Sequence, residues 1–101
     1  MSLLSRRMLM NQTNVIIDDN LINMDKYSIA TSTYSQRITI DSTKTYYIYD
    51  YNYFNCYNVW GSNVGMGSSD SGKAIFKDGT IEVVIFISPG KNPYFGLTKR
   101  S

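Results

Sequence analysis

Few side chains in this sequence are of the types that carry chemistry at neutral pH. It has 101 residues and no His, one Cys at position 56, and 8 acidic residues of which Glu82 is the one Glu. Without His, the usual neutral-pH base and the commonest zinc ligand are missing. A Ser or Cys nucleophile would then need Lys or a carboxylate as its base, and no motif supplies the pair. Cys56 lies in a Tyr-rich stretch with no neighbouring cation to stabilise a thiolate, so it reads as a structural thiol. The acidic residues sit at turns or on a strand surface rather than as the paired carboxylates of a glycosidase. Asp18, Asp19 and Asn20 could contribute oxygens to calcium, but the alternating acidic loop pattern is missing. Gly65-Met66-Gly67 has no third glycine and no helix after it, so it is no phosphate loop. Asn11-Gln12-Thr13 matches a glycosylation sequon that reads as idle. These features predict no enzyme, no cofactor and no metal.

The aromatic side chains are the other resource. Most of them fall between Lys44 and Trp60 (KTYYIYDYNYFNCYNVW). In the run Thr45–Tyr51, alternation puts Tyr46 and Ile48 on one face and Tyr47, Tyr49 and Tyr51 on the other. Assigning the Ile48 face to the core leaves a ladder of three tyrosines facing outward. Rings of this kind either brace a sheet through cross-strand pairs or give contact area to a protein or glycan. Two sets of candidates follow. Tyr47, Tyr49 and Tyr51, with Val84 and Phe86 from a second apolar strand, would form a subunit interface. Tyr53, Tyr57 and Trp60, joined by Tyr51, would form a sugar-stacking platform.

The elements that must position these residues read as β-structure. Tyr, Ile, Val and Phe dominate the apolar residues, and Ala occurs only at positions 30 and 74. Ser, Thr, Asn and Gly fill the gaps. Asn14–Asp18 is a short strand candidate. Leu21–Ala30 could make one or two helical turns, marginal in isolation, and a loop leading into a short strand near Tyr27–Ala30 is preferred. Thr31–Gln36 reads as a polar turn. Arg37–Asp41 and Thr45–Tyr51 are expected to pair as a hairpin around Ser42-Thr43-Lys44. Cys56–Trp60 returns as a strand, and Gly61–Gly72 is a long surface loop. Lys73–Lys77 and Thr80–Ile87 flank Asp78-Gly79, the strongest short hairpin signal. In the second of these, Ile81, Val83, Ile85 and Ile87 share one face and Glu82, Val84 and Phe86 the other. A strand apolar on nearly both faces is expected to be central and covered, or covered by another subunit. Tyr94–Lys99 closes the chain. About seven short strands of this kind describe one all-β domain over residues 14–101, a small antiparallel sandwich with jelly-roll or immunoglobulin-like topology open.

Residues 1–13 differ in kind. Leu3, Leu4, Arg6, Arg7, Met8 and Met10 follow neither a helical nor an alternating spacing. They suit either a flexible leader or an extended N-terminal arm that anchors on a partner, Met and Leu filling apolar grooves and Arg pairing with acidic groups; five large apolar residues favour the arm. The arginines interrupt any signal-like apolar run, and no stretch approaches a membrane span. The net charge of +2 is small, and four of the 10 basic residues lie at the two ends, which argues against a nucleic-acid track. No membrane or nucleic-acid partner is expected.

Three segments carry a resemblance. SLLSRRMLM resembles the short Leu/Arg/Met openings of some virion proteins of tailed phages infecting gut Bacteroidetes. RITIDSTKTYYIYDYN and YFGLTK are similar to the Tyr-rich and closing strands of small jelly-roll modules in phage structural proteins and carbohydrate-binding modules. The resemblance implies an accessory virion protein made in the host cytoplasm, a head-decoration or head-fibre subunit attached through its arm. Its partners would be capsid or other virion proteins and further copies of itself, a dimer first and a trimer second. The competing expectation is a carbohydrate-binding module that meets a host-surface glycan.

Overall fold

The computed structural model describes residues 18–67 and 72–100. They form two antiparallel sheets and one short helix. In chain order the elements are α1 (Met24–Ser28), β1 (Tyr34–Thr39), β2 (Tyr46–Tyr49), β3 (Tyr53–Asn58), β4 (Asn63–Gly67), β5 (Lys73–Ala74), β6 (Thr80–Ile87) and β7 (Tyr94–Gly96). One sheet has the order β1-β6-β3-β4 and the other β5-β2-β7. The all-β class and the small antiparallel sandwich are therefore as expected. The candidate strand at 14–18 lies outside the described residues apart from Asp18.

The core is the layer between the sheets. Ile38, Val83, Ile85, Ile87, Phe54 and Cys56 point into it from the larger sheet, and Tyr46, Ile48, Ala74 and Phe95 from the smaller. Phe54, Phe76 and Phe95 meet at its centre, with Phe76 and Phe95 stacked at 6.2 Å and 5°. Burying a Phe or Ile side chain of this kind stabilises by about 1.5–3 kcal/mol.

Both expected hairpins are corrected, for one reason. Arg37–Asp41 and Thr45–Tyr51 do not pair: β1 pairs with β6, and β2 belongs to the other sheet. Asp41 turns the chain between layers, its carboxylate accepting the Thr43 N–H at 2.9 Å and its own N–H donating to the Tyr46 hydroxyl at 2.9 Å. Likewise the Asp78-Gly79 turn forms, with Gly79 at φ 89° and the Thr80 N–H on the Lys77 carbonyl at 3.1 Å. Its two arms enter different sheets, however, because β5 pairs with β2. Ala74 and Phe76 are buried there, so burial between layers outweighs pairing along the chain.

Three further expectations shift. The strand expected near Tyr27–Ala30 is the end of α1, which starts at the cap Asn23, whose side chain accepts the Lys26 N–H at 3.1 Å. Thr31–Gln36 is not wholly a turn, since β1 begins at Tyr34 and the Gln36 side chain receives the Asn23 N–H and donates to the Leu21 carbonyl. The expected loop 61–72 contains β4, a strand built on backbone pairing to β3 with almost no side-chain signal. β6 is central, as expected, between β1 and β3. Its first residues are out of phase: a register shift between Tyr57 and Asn58 buries Thr80 and leaves Ile81 42% exposed.

Candidate functional site

Because Val83, Ile85, Phe54 and Cys56 point inward, alternation sends Glu82, Val84, Phe86, Tyr53, Asn55 and Tyr57 to the outer face of the larger sheet. The register sets Phe86 opposite Tyr53, Val84 opposite Asn55 and Glu82 opposite Tyr57. Tyr53 and Phe86 stack at 4.6 Å between ring centres with planes 17° apart. Tyr53 is exposed, and Val84, Phe86 and Tyr57 are half-buried without belonging to the core. Arg37 reaches across from β1 to Glu82 at 2.7 Å. An ion pair this exposed adds little stability, but it borders the apolar strip with a neutral polar edge. The structure thus brings together residues that the sequence assigned to two separate sites: Val84 and Phe86 from one, Tyr53 and Tyr57 from the other.

Trp60 stands apart from that platform. β3 starts earlier than expected and ends at Asn58, so Trp60 lies in the β3–β4 turn rather than on a returning strand. The turn is tightly made. The Asn58 side-chain oxygen accepts the Trp60 and Ser62 N–H groups at 3.0 Å each, and Gly61 turns at φ 76°. Trp60 is 85% exposed and Val59 beside it is exposed as well. A defined turn therefore presents an indole ring to solvent beyond the Tyr57 end of the strip.

The expected ladder of Tyr47, Tyr49 and Tyr51 is not one surface. β2 ends at Tyr49, and Asp50 adopts φ 56°, which breaks the alternation. Tyr51 consequently packs against the core and Phe54, 5.6 Å ring to ring. Tyr47 is half-buried, opposite Gly96 and Lys73. Tyr49 is covered by the chain's own C-terminal segment: its hydroxyl accepts the Arg100 N–H at 3.1 Å, and the Arg100 guanidinium lies over the Tyr49 and Tyr94 rings at 5.3 and 5.4 Å. Tyr94 donates to Asp19 at 2.9 Å and accepts the Thr98 N–H at 2.9 Å. The C-terminal segment thus covers the Tyr49 and Tyr94 end of the smaller sheet's outer face.

The remaining candidates are structural in the same way. The hydroxyl groups of Thr98 and Tyr94 hold the Asp19 carboxyl below the usual carboxylate range. Asn20 accepts the Ile22 and Phe95 N–H groups and donates to the Pro93 carbonyl, so its polar atoms bind backbone. Burial pushes the Cys56 thiol up, away from the thiolate a nucleophile needs. A cleft of about 350 Å³ is lined by Asp19, Leu21, Thr39, Tyr46, Gly96 and Leu97. Among the described residues no cluster of three His, Cys, Asp or Glu stands together, and no helix is long and apolar enough to cross a membrane. The arm residues Leu3, Leu4, Arg6, Arg7, Met8 and Met10, and the Asn11 sequon, lie outside the described residues. No family model, curated protein or solved structure matches this chain.

Proposed function

We propose that the protein is a non-enzymatic structural subunit that works by meeting other protein surfaces, in the setting its sequence resemblance implies: a head-decoration or head-fibre subunit of a phage virion. The observation that carries this reading is the strip of Tyr53 stacked on Phe86 with Val84 and Tyr57 beside it. Aromatic rings held rigid by a sheet lose little entropy on contact, and they are enriched where proteins meet. On this reading the N-terminal arm adds a second, separate attachment, and the two together raise avidity. The test is particle incorporation during infection, with particles purified on a density gradient. The wild-type chain bands with the particles, and a chain carrying Tyr53→Thr and Phe86→Thr, or lacking residues 2–12, is depleted from them. A wild-type chain absent from purified particles sinks the reading.

A second reading rests on Trp60, whose 85% exposure on a defined turn suits stacking on a sugar ring. In that case Trp60→Ser abolishes binding to a glycan array while removal of residues 2–12 leaves it intact. Binding that survives Trp60→Ser counts against it.

A further inference from the structure

The four sheet edges formed by the described strands are not alike. At β7, Phe95 is the residue whose N–H and C=O face away from β2, since Tyr94 and Gly96 flank it in the ladder. Both groups are taken, the N–H by the Asn20 side chain at 3.0 Å and the C=O by the Leu21 N–H at 2.8 Å. β5 offers only two residues, Lys73 and Ala74. β4 is broken by Gly65 at φ 122° and by a register shift opposite it. A strand edge that is short, bulged or covered is protected against adding another strand.

β1 has none of these protections. Its six residues contain no Gly, Pro or bulge. Tyr34, Gln36 and Ile38 oppose Ile87, Ile85 and Val83, and the next pair in register is joined by the Ile40 N–H on the Ile81 carbonyl at 2.9 Å. Hydrogen-bonded pairs alternate along an antiparallel ladder, so the even-numbered residues of β1 face β6. Ser35, Arg37 and Thr39 then direct their N–H and C=O groups outward, about 6.8 Å apart. All three residues are exposed. The nearby segment Leu21–Asn23 is tied to the Gln36 side chain and not to the β1 backbone, so among the described residues no segment pairs along this edge.

We propose that β1 is the docking edge for a second copy of this chain, the two β1 strands pairing antiparallel to join two four-stranded sheets into one of eight. A strand that pairs with itself meets the same groups on its partner, as a twofold interface requires. The charges select the register. Centring the twofold on Arg37 would set two like charges directly opposite, which is unfavourable. Centring it on Gln36 sets Arg37 opposite the Ser35 of the partner subunit and Thr39 opposite Thr33, with each Arg37 still neutralised by its own Glu82. This inference deepens the proposed function by naming where two copies join.

The test combines sedimentation velocity of the full chain with residue-resolved amide exchange by NMR. The expected result is a dimer in which the Ser35, Arg37 and Thr39 amides exchange about tenfold or more slowly than at monomeric dilution, while Gln36 and Ile38 stay protected throughout. Ser35→Pro removes an outward N–H and no bond within the subunit, and should give a monomer. Ser35→Lys keeps the backbone intact, faces the partner's Arg37 with a like charge, and decides the matter if the proline variant fails to fold. A wild-type monomer at all concentrations overturns the inference, as does a dimer that persists in the lysine variant or leaves these three amides fast. Tyr53→Thr with Phe86→Thr should leave the dimer in place. Should that variant alone abolish it, copies meet through the aromatic face and the edge assignment is wrong. A dimer of the expected kind in a chain missing from purified particles would instead remove the virion reading and leave the edge standing.

Discussion

The two outer faces of this sandwich use the same residue type to opposite ends. On the smaller sheet, Tyr49 and Tyr94 are roofed by Arg100, and their hydroxyls bind the Arg100 and Thr98 backbone and Asp19. On the larger sheet, Tyr53 stacks flat on Phe86, and the strip runs on through Val84 to Tyr57. What separates them is whether the chain returns. The C-terminal residues after β7 fold back over one face, and no described segment does so for the other. A tyrosine count alone cannot tell a brace from a binding surface, because each use needs the same amphipathic ring.

This contrast can be broken most severely at Gly96. A Cβ there would stand 2.4 Å from the Tyr94 hydroxyl and 2.9 Å from the Asp19 carbonyl oxygen. Gly96→Ala should destabilise by about 2–4 kcal/mol, a fall in melting temperature of roughly 10–20 °C by calorimetry. Tyr94→Phe is milder. It leaves the Thr98 N–H without its acceptor and takes one of two hydroxyl donors from Asp19, for a loss of about 1–3 kcal/mol in urea unfolding.

Acid should attack the same face. The bonds from Thr98 and Tyr94 depress the Asp19 carboxyl in the folded state, below the roughly 3.9 of an unfolded Asp. Its contribution is therefore fully present above about pH 4 and is lost as pH falls through the lower folded value. Asp41, depressed by Thr43, titrates in the same direction. Melting curves against pH in an Asp41→Asn background remove the part due to Asp41, and Tyr94→Phe should flatten the remaining slope. An unchanged slope would mean that the carboxyl does not hold the C-terminal segment.

The open face should respond in the reverse sense. Tyr53→Thr should cost less than about 1 kcal/mol of stability, since it removes one stacking contact from an exposed position. Its effect belongs in binding. Smallest of all, Trp60→Ser should change stability by less than about 0.5 kcal/mol. As the one Trp in the chain, Trp60 also reports directly. Its emission should match that of exposed indole in the free protein and move to shorter wavelength only when something covers the turn. A blue-shifted emission from the dilute protein would contradict an exposed ring.

Much of this was legible from local pattern. Tyr46 and Ile48 are buried as their alternation requires, β6 is central as its two apolar faces require, and Cys56 is buried as its neutral surroundings suggest. Other parts had signals that the hydrophobic pattern masked. Asn23 followed by Asp25 marks a helix start, but a helix of one or two turns is marginal in isolation, so the sequence alone favours a loop and short strand there. Gln36 faces inward because its amide is matched by Leu21 and Asn23, a partnership thirteen and fifteen residues away that alternation cannot show. Asp50, turning at φ 56°, separates Tyr51 from the other two tyrosines, and no neighbouring residue announces it.

By itself, then, the sequence determined the inventory: β-branched and aromatic residues at alternating positions, a single Cys and no His, and turns at Asp78-Gly79 and near Asp41. Tertiary structure decided how the strands were dealt between layers. Of the pairings among β1 to β7, only β3 with β4 joins strands consecutive in the chain. A short polar turn is equally able to fold a strand back beside its predecessor or carry it to the opposite sheet. The choice depends on which arrangement buries Phe76, Phe54 and Phe95 together, and that burial belongs to the whole molecule rather than to any segment. The same long-range choice places β1 at an edge of the described strands and leaves Tyr53 exposed on the outer face of the larger sheet.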